Sequence, residues 1–312
     1  MDHGFVFSVF LVAWLSSAMR LAAPLLLAAL GETFAERSGI LNIGIEGTML
    51  LGAIASYFAT LMTGSPWTGV LAAMFVGVLV NLFLGWMYVH VRANQVVVGI
   101  IFNILSLGIA SYVYRLGMGG ASGPRKSEMF QPLHIPVLSD VPVAGPVLFS
   151  HAAPLYAILA LVPVAALVLY RTRFGLQLRA AGENPKAASA AGIDVIRMRY
   201  AGLLIAGAAA GAAGSYLVLA QVGLFRDTII AGQGFIALAI VIFGRWDPWK
   251  VAAAAFVFGA ADALQLSLQL FQVNMPPQLL LSLPYVLTII AMTGLLGKTY
   301  QPEALMTPWR RE

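Results

Sequence analysis

Cysteine is absent from the 312 residues, which excludes a disulfide framework, a thiolate zinc site, an iron–sulfur cluster and a cysteine nucleophile. Histidine is scarce. His3, His90, His134 and His151 lie far apart and no HExxH occurs, so the sequence offers no histidine metal centre, and no metal or cofactor is expected. No Ser/His/Asp arrangement is legible, and no catalytic residue is assigned. Charge is the third shortage: 10% of residues are charged and 60% are hydrophobic, against about 25% and about 45–50% in soluble domains. So many apolar side chains cannot be hidden in the two small cores that the length alone would suggest. Lipid must serve as part of the solvent. The N-terminus has no Lys or Arg ahead of its apolar run, and Arg20 and Pro24 interrupt that run, so it is expected to be a retained membrane segment and not a cleaved signal.

What the chain has in plenty is apolar runs. A bilayer core about 30 Å thick needs about 20 apolar residues in a helix. That criterion predicts spans near 5–30, 40–62, 67–91, 96–116, 147–170, 199–220, 229–244, 250–271 and 278–297. The expected fold is therefore an all-α polytopic membrane protein with about 8–10 transmembrane helices, forming a single transmembrane domain over 1–312. The sequence holds 31 glycines, and Gly207 and Gly211 form a small-xxx-small face suited to close helix packing.

The charges that remain set the orientation. Residues 171–199 carry Arg171, Arg173, Arg179, Lys186, Arg197 and Arg199 against Glu183 and Asp194, and such a basic loop is expected on the cytoplasmic side. Counting crossings from there places the tail with Lys298, Arg310 and Arg311, the turn 245–250 and the turn at Arg92 inside as well. The Pro/Gly-rich loop 117–146 then falls outside. The net charge of +5 thus reports sidedness, and no nucleic-acid partner is implied.

Polar groups within apolar sequence mark the candidate path, because ionisable side chains at membrane depth usually face a cavity or a partner. Glu32, Glu36, Arg37, Asn42 and Glu46 are interspersed with Gly31, Gly39, Gly44 and Gly47. Continuous helix through so many glycines is disfavoured. The region reads as a broken or re-entrant helix of the kind found at transporter substrate sites, with a cytoplasmic turn before an ordinary helix as the alternative. Asn42 and Glu46 are four apart, on one helical face. Asp262 shares a face with Gln265 and Gln269, either lining a path or bonding a neighbouring helix. Asn81 reads as interhelical glue and Asn103, near Gly99, as a cavity candidate. The substrate-path candidates are therefore Glu32, Asn42, Glu46, Asn103 and Asp262.

Two nucleotide motifs fail on inspection. Gly297-Lys298-Thr299 would need glycine where Met292 stands, and the GxGxxA run from Gly232 has no βαβ unit around it. Any ATP that drives this chain must bind elsewhere. A short amphipathic helix is predicted inside the basic loop: Glu183 and Asn184 suit its N-terminal end, Pro185 its first position and Gly192 its stop. That is the shape of a docking element for a cytoplasmic partner.

The stretch 175–193 resembles the coupling-helix signature of ABC importer permeases of the branched-chain amino acid and simple-sugar superfamily. The run from Glu36 through Asn42 and Glu46 to Gly47, and that from Gly234 through Gly244, Arg245 and Trp246 to Pro248, resemble its nucleoside-uptake subgroup. The resemblance implies a type II-like permease fold in a bacterial inner membrane. It also implies cytoplasmic ATP-binding subunits, a second permease that is a paralogue or another copy, and an extracytoplasmic substrate-binding lipoprotein. Hydrolysis would then lie on the separate ATPase. It assigns coupling to Gly182, Glu183, Asn184, Pro185, Lys186, Ala187, Ala188 and Gly192. Branched-chain amino acid permeases carry a histidine-containing pattern after the Asn, where this chain has Ile43-Gly44-Ile45-Glu46-Gly47. An ABC permease for monosaccharides or branched-chain amino acids and an ion-coupled secondary transporter are the alternatives; the last would often show paired carboxylates in repeated halves, and no internal repeat is visible.

Overall fold

The computed structural model describes residues 3–119, 125–133, 139, 141, 143–270, 282, 286, 289 and 301–310. Ten α-helices follow one another: α1 (His3–Arg37), α2 (Ile45–Thr63), α3 (Pro66–Gly85), α4 (Gln95–Met118), α5 (Ala153–Arg171), α6 (Arg173–Glu183), α7 (Pro185–Ala190), α8 (Val195–Tyr216), α9 (Gln233–Phe243) and α10 (Pro248–Leu270). With three π-helical turns, at Trp86–His90, Gly145–Phe149 and Leu217–Val222, these are the helical elements named among the described residues. Seven helices among the described residues are long and apolar enough to cross a membrane. The predicted span 278–297 lies outside the described residues, apart from three isolated positions. The predicted span 229–244 is a helix of only 11 residues, about 16 Å long and half a bilayer core.

Helix α8 is the centre of the bundle, packed against α1, α2 and α3. The glycine face read from the sequence is where those helices meet. Gly207 lies on Gly77 and Asn81 of α3, and Gly211 on Ala73 of α3 and Gly52 of α2. A Cβ on Gly52 would come within 2.6 Å of the Gly211 Cα, so backbones touch there and no larger residue fits. The windows of α2 and α8 are 67% buried, while that of α4 is 22% buried, so α4 stands at the periphery.

The connections gather at two ends of the bundle. Tyr170 donates to Asp247 at 3.0 Å, His90 meets Tyr200 at 2.9 Å, and Ala304 N–H donates to the Gly182 carbonyl at 2.9 Å. The loop 171–199, the turn at Arg92, the turn 245–250 and the tail therefore share one end. At the other, Ser127 N–H donates to Gly223 and Phe130 N–H to Leu219, both at 2.9 Å.

One expectation needs correction. Helix α1 does not break at Gly31; it runs on through Glu32 and Glu36 to Arg37. Gly31 sits against Ala206 and Ala209 of α8, and that close packing offsets the glycine penalty of about 1 kcal/mol. The break comes later, at 38–44.

Candidate functional site

The break begins where α1 runs out. Ser38 Oγ turns back to the Ala35 carbonyl at 2.7 Å, and Gly39 takes a left-handed φ of +94° that stops the helix. The N–H of Gly39 then donates to Glu36 and that of Ile40 to Ala35. The chain doubles back toward the middle of the bundle, and α2 restarts at Ile45 with Gly44 as its cap. Thr48 closes the first turn, donating through its N–H and hydroxyl to the Gly44 carbonyl at 3.0 and 2.9 Å.

The irregular backbone is held by side chains from three other helices. Glu32 of α1 accepts the Asn42 N–H at 2.9 Å, and Gln95 of α4 accepts the Leu41 N–H at 2.8 Å. Asn103 of α4 works on both strands of the turn: its Oδ1 accepts from Gly47 N–H at 2.8 Å and its Nδ2 donates to the Ile43 carbonyl at 2.9 Å. Asn81 of α3 accepts from Asn42 Nδ2 at 2.9 Å and donates toward Thr48 and the Gly77 carbonyl. With water excluded from this depth, a broken helix persists only if its freed backbone groups find such partners.

A second discontinuity meets the first. Between α8 and α9 the chain descends as irregular backbone, and Gly232, at φ +87°, caps α9. The Glu46 carboxyl accepts from Gly232 N–H and Gly234 N–H, one oxygen to each, both at 2.7 Å. Glu46 itself stands in the first turn of α2. The positive ends of two helices thus converge on one carboxyl. Gly234 has no room for a side chain, since a Cβ would lie 2.7 Å from Glu46.

At the end carrying the basic loop, the break touches the predicted coupling element directly. Gly182 packs on the Arg37 carbonyl, and a Cβ there would stand 3.0 Å from Gly39 N. Arg37 donates to the Trp246 carbonyl at 3.2 Å and pairs with Glu183 at 3.7 Å. The Trp246 indole N–H donates to Glu36. The tail straps over the junction, with Met306 N–H donating to the Gly39 carbonyl at 3.2 Å. Helix α7 forms where predicted: Asn184 caps it by accepting from Ala187 N–H at 3.0 Å, Pro185 opens it, and Gly192 follows at φ +82°. Ala188 is buried against Ala181 and Val195, while Glu183, Asn184, Lys186 and Ala187 are exposed.

Of the candidate path residues, Glu32, Asn42, Glu46 and Asn103 are brought together at the break, where their bonds go to backbone and to one another. Asp262 is not with them. It lies on α10 one turn beyond Gly259, which packs on Ala18 and Ala22 of α1, about 20 Å along α1 from Glu32. Sequence reasoning missed Gln95, Thr48 and Trp246 as members of this network. Gln95, an amide beside the Asn94 cap at the start of an apolar helix, carried a usable signal.

A family model described as "Branched-chain amino acid transport system / permease component" matches residues 14–292. The chain is 40% identical to the guanosine ABC transporter permease protein NupQ of Bacillus subtilis, over 92% of this chain and 93% of the relative. It is 34% identical to the nucleoside ABC transporter permease protein NupC of Lactococcus lactis, over 91% and 92%. A glucose ABC transporter permease protein of Haloferax volcanii is 29% identical over 76% of this chain and 65% of the relative. No solved structure matches the chain.

Proposed function

This chain belongs to the branched-chain amino acid transport system / permease component family, and from that premise we propose that it is the permease subunit through which an ABC importer moves nucleosides across the cell membrane. Separate cytoplasmic ATP-binding subunits supply the energy, an extracytoplasmic lipoprotein delivers the solute, and a second permease, paralogue or copy, completes the pore. The observation that carries this reading is the direct packing of Gly182 and Glu183 on Arg37 and Gly39. A push on exposed α7 has a short mechanical route to the break. From there Asn42 and Glu46 tie the movement to α3 and to the start of α9. The solute bears on this equilibrium only through its different affinity for the two states.

The nucleoside class rests on the named substrates of the two relatives with the higher identities. The glucose relative supports a sugar as the second reading, which competition between guanosine and glucose separates. The experiment for coupling is ATP-driven uptake in vesicles that contain the ATPase. The double substitution Pro185→Ala/Lys186→Glu is expected to abolish uptake and ATPase association together. Intact association and uptake would remove α7 from the coupling role, and a transporter that runs on an ion gradient with no ATPase co-purifying would overturn the ABC reading itself.

A further inference from the structure

At the end opposite the basic loop, a cleft opens between α4 and the connection that follows α8. It encloses about 340 Å³ between Ser111, Tyr114 and Arg115 on one side and residues 224–228 on the other. Sites for small molecules occupy about 300–1,000 Å³, so the space suits a small solute. Its two walls differ in chemistry. The first is aromatic: the half-buried Tyr114 ring, with the buried Phe225 packed 5.4 Å from it at 41° and Tyr57 behind both at 6.0 and 6.3 Å. Tyr57 is fully buried and its hydroxyl donates to the Arg125 carbonyl at 2.5 Å, so the wall is fixed from behind. The second is polar, with exposed Asp227 and Thr228 facing Ser111 and Arg115. Ser111 Oγ reaches Asp227 at 3.5 Å, too long to be a strong bond, which leaves the carboxylate with capacity for a ligand.

The cleft and the break are borne by the same two elements: Ser111 lies about 12 Å along α4 from Asn103, and Thr228 lies four residues before Gly232, whose N–H is held by Glu46.

We propose that this cleft is a binding site for a nucleoside on its way into the membrane, with the base lying on the Tyr114–Phe225 wall and the ribose 2′- and 3′-hydroxyls donating to Asp227. The assignment rests on the nucleoside reading above and adds the residues that recognise the solute. A carboxylate accepts from two vicinal hydroxyls at once, while Ser111 and Arg115 supply donors for the acceptor edge of a purine. Every base presents a π-face to an aromatic wall.

The test compares ATP-driven uptake of radiolabelled guanosine and 2′,3′-dideoxyguanosine by the complete importer in proteoliposomes, with wild-type chain and with Asp227→Ala. The binding protein is the same in both arms, so a change in the guanosine-to-dideoxyguanosine ratio belongs to this subunit. Asp227→Ala is expected to lower guanosine uptake about tenfold, as loss of hydrogen bonds to a charged group does, and to leave the dideoxy analogue within twofold, so the ratio collapses. An unchanged ratio, whether neither rate falls or both fall together, overturns the proposal. Should Asp227→Ala abolish all uptake, Asp227→Asn, which keeps one acceptor oxygen, is expected to show an intermediate ratio; a wild-type ratio there overturns it equally. Wild-type importer that takes up glucose and not guanosine sinks the nucleoside reading, a result distinct from any change of ratio.

Discussion

Two polar regions inside the bundle, each built around a glutamate, are finished to different degrees. At Glu46 and Asn103 themselves the bonding is complete: each Glu46 oxygen accepts a backbone N–H at 2.7 Å, and Asn103 both accepts and donates across the turn; among the described residues the atoms left over beside them are the neutral amide oxygens of Asn42 and Gln233. Around Glu36 and Arg199, nearer the basic loop, it is not. Among the described residues, Glu36 Oε1 and Nε and Nη2 of Arg199 are buried with no hydrogen-bond partner, as is the second oxygen of Glu32 one turn back along α1. Arg199 is 2% exposed, and its guanidinium lies beneath Gly39. A buried polar atom without a partner costs about 1–3 kcal/mol. The contrast teaches that the clasp of Glu46 on the start of α9 is a settled piece of structure, with only neutral amide oxygens left over beside it. The strained bonding sits instead where the coupling loop touches the break, at the place where movement would enter.

The largest effect should come from undoing the settled region. Glu46→Ala removes two bonds between a carboxyl and helix N-termini and leaves two backbone donors buried. The expected cost is roughly 3–6 kcal/mol, at about 1.5–3 kcal/mol per charge-assisted bond. Thermal unfolding of the purified importer should fall sharply and uptake should vanish. Glu46→Gln keeps one good acceptor and should lie between. Should Glu46→Ala melt like the wild type, the finished region is not what holds α9 in place.

Next in size is the contact that joins the two regions. A Cβ on Gly182 would collide with the Arg37 carbonyl and stand 3.0 Å from Gly39 N, so Gly182→Ala must push α6 off the break. Uptake is expected to fall at least about tenfold, the scale of one lost positioning interaction. ATP hydrolysis by the assembled complex should stay within twofold, raising the ATP used per solute moved. Equal losses in both rates would mean that Gly182 serves assembly and not transmission.

How far these regions could be read from sequence depends on how local their causes are. Helix α7 was legible because its caps are neighbours: Asn184, Pro185 and Gly192 carry their own φ/ψ and hydrogen-bonding preferences. The break was legible as a region, since polar residues among glycines stand out in apolar sequence. Its start was misplaced because Gly31 is held helical by Ala206 and Ala209, far away in the chain. The pairing of Glu46 with Gly232 spans 186 positions, and no periodicity reports such a contact. Arg199 was counted as one more charge in a basic loop. Its burial is a tertiary fact, set by α1 on one side and by the tail that reaches Gly182 and Gly39 on the other.

The smallest effect would sharpen the contrast most. Arg199→Met keeps an unbranched, apolar stem of similar length and deletes the guanidinium with its two unpartnered nitrogens. Replacing a buried charge by a packed apolar side chain is often neutral or stabilising. The importer should therefore melt at a higher temperature, by the equivalent of about 1–2 kcal/mol from the unsatisfied donors removed. If the unfinished bonding were only a defect, transport would be unchanged or improved. If it keeps the junction ready to rearrange, the stabilised resting state must be left on every cycle, and uptake should slow by about tenfold for each 1.4 kcal/mol gained. A gain in melting temperature together with a loss of rate is the expected signature. A drop in melting temperature would show that Arg199 supports the fold as it stands, and would erase the distinction between the two regions.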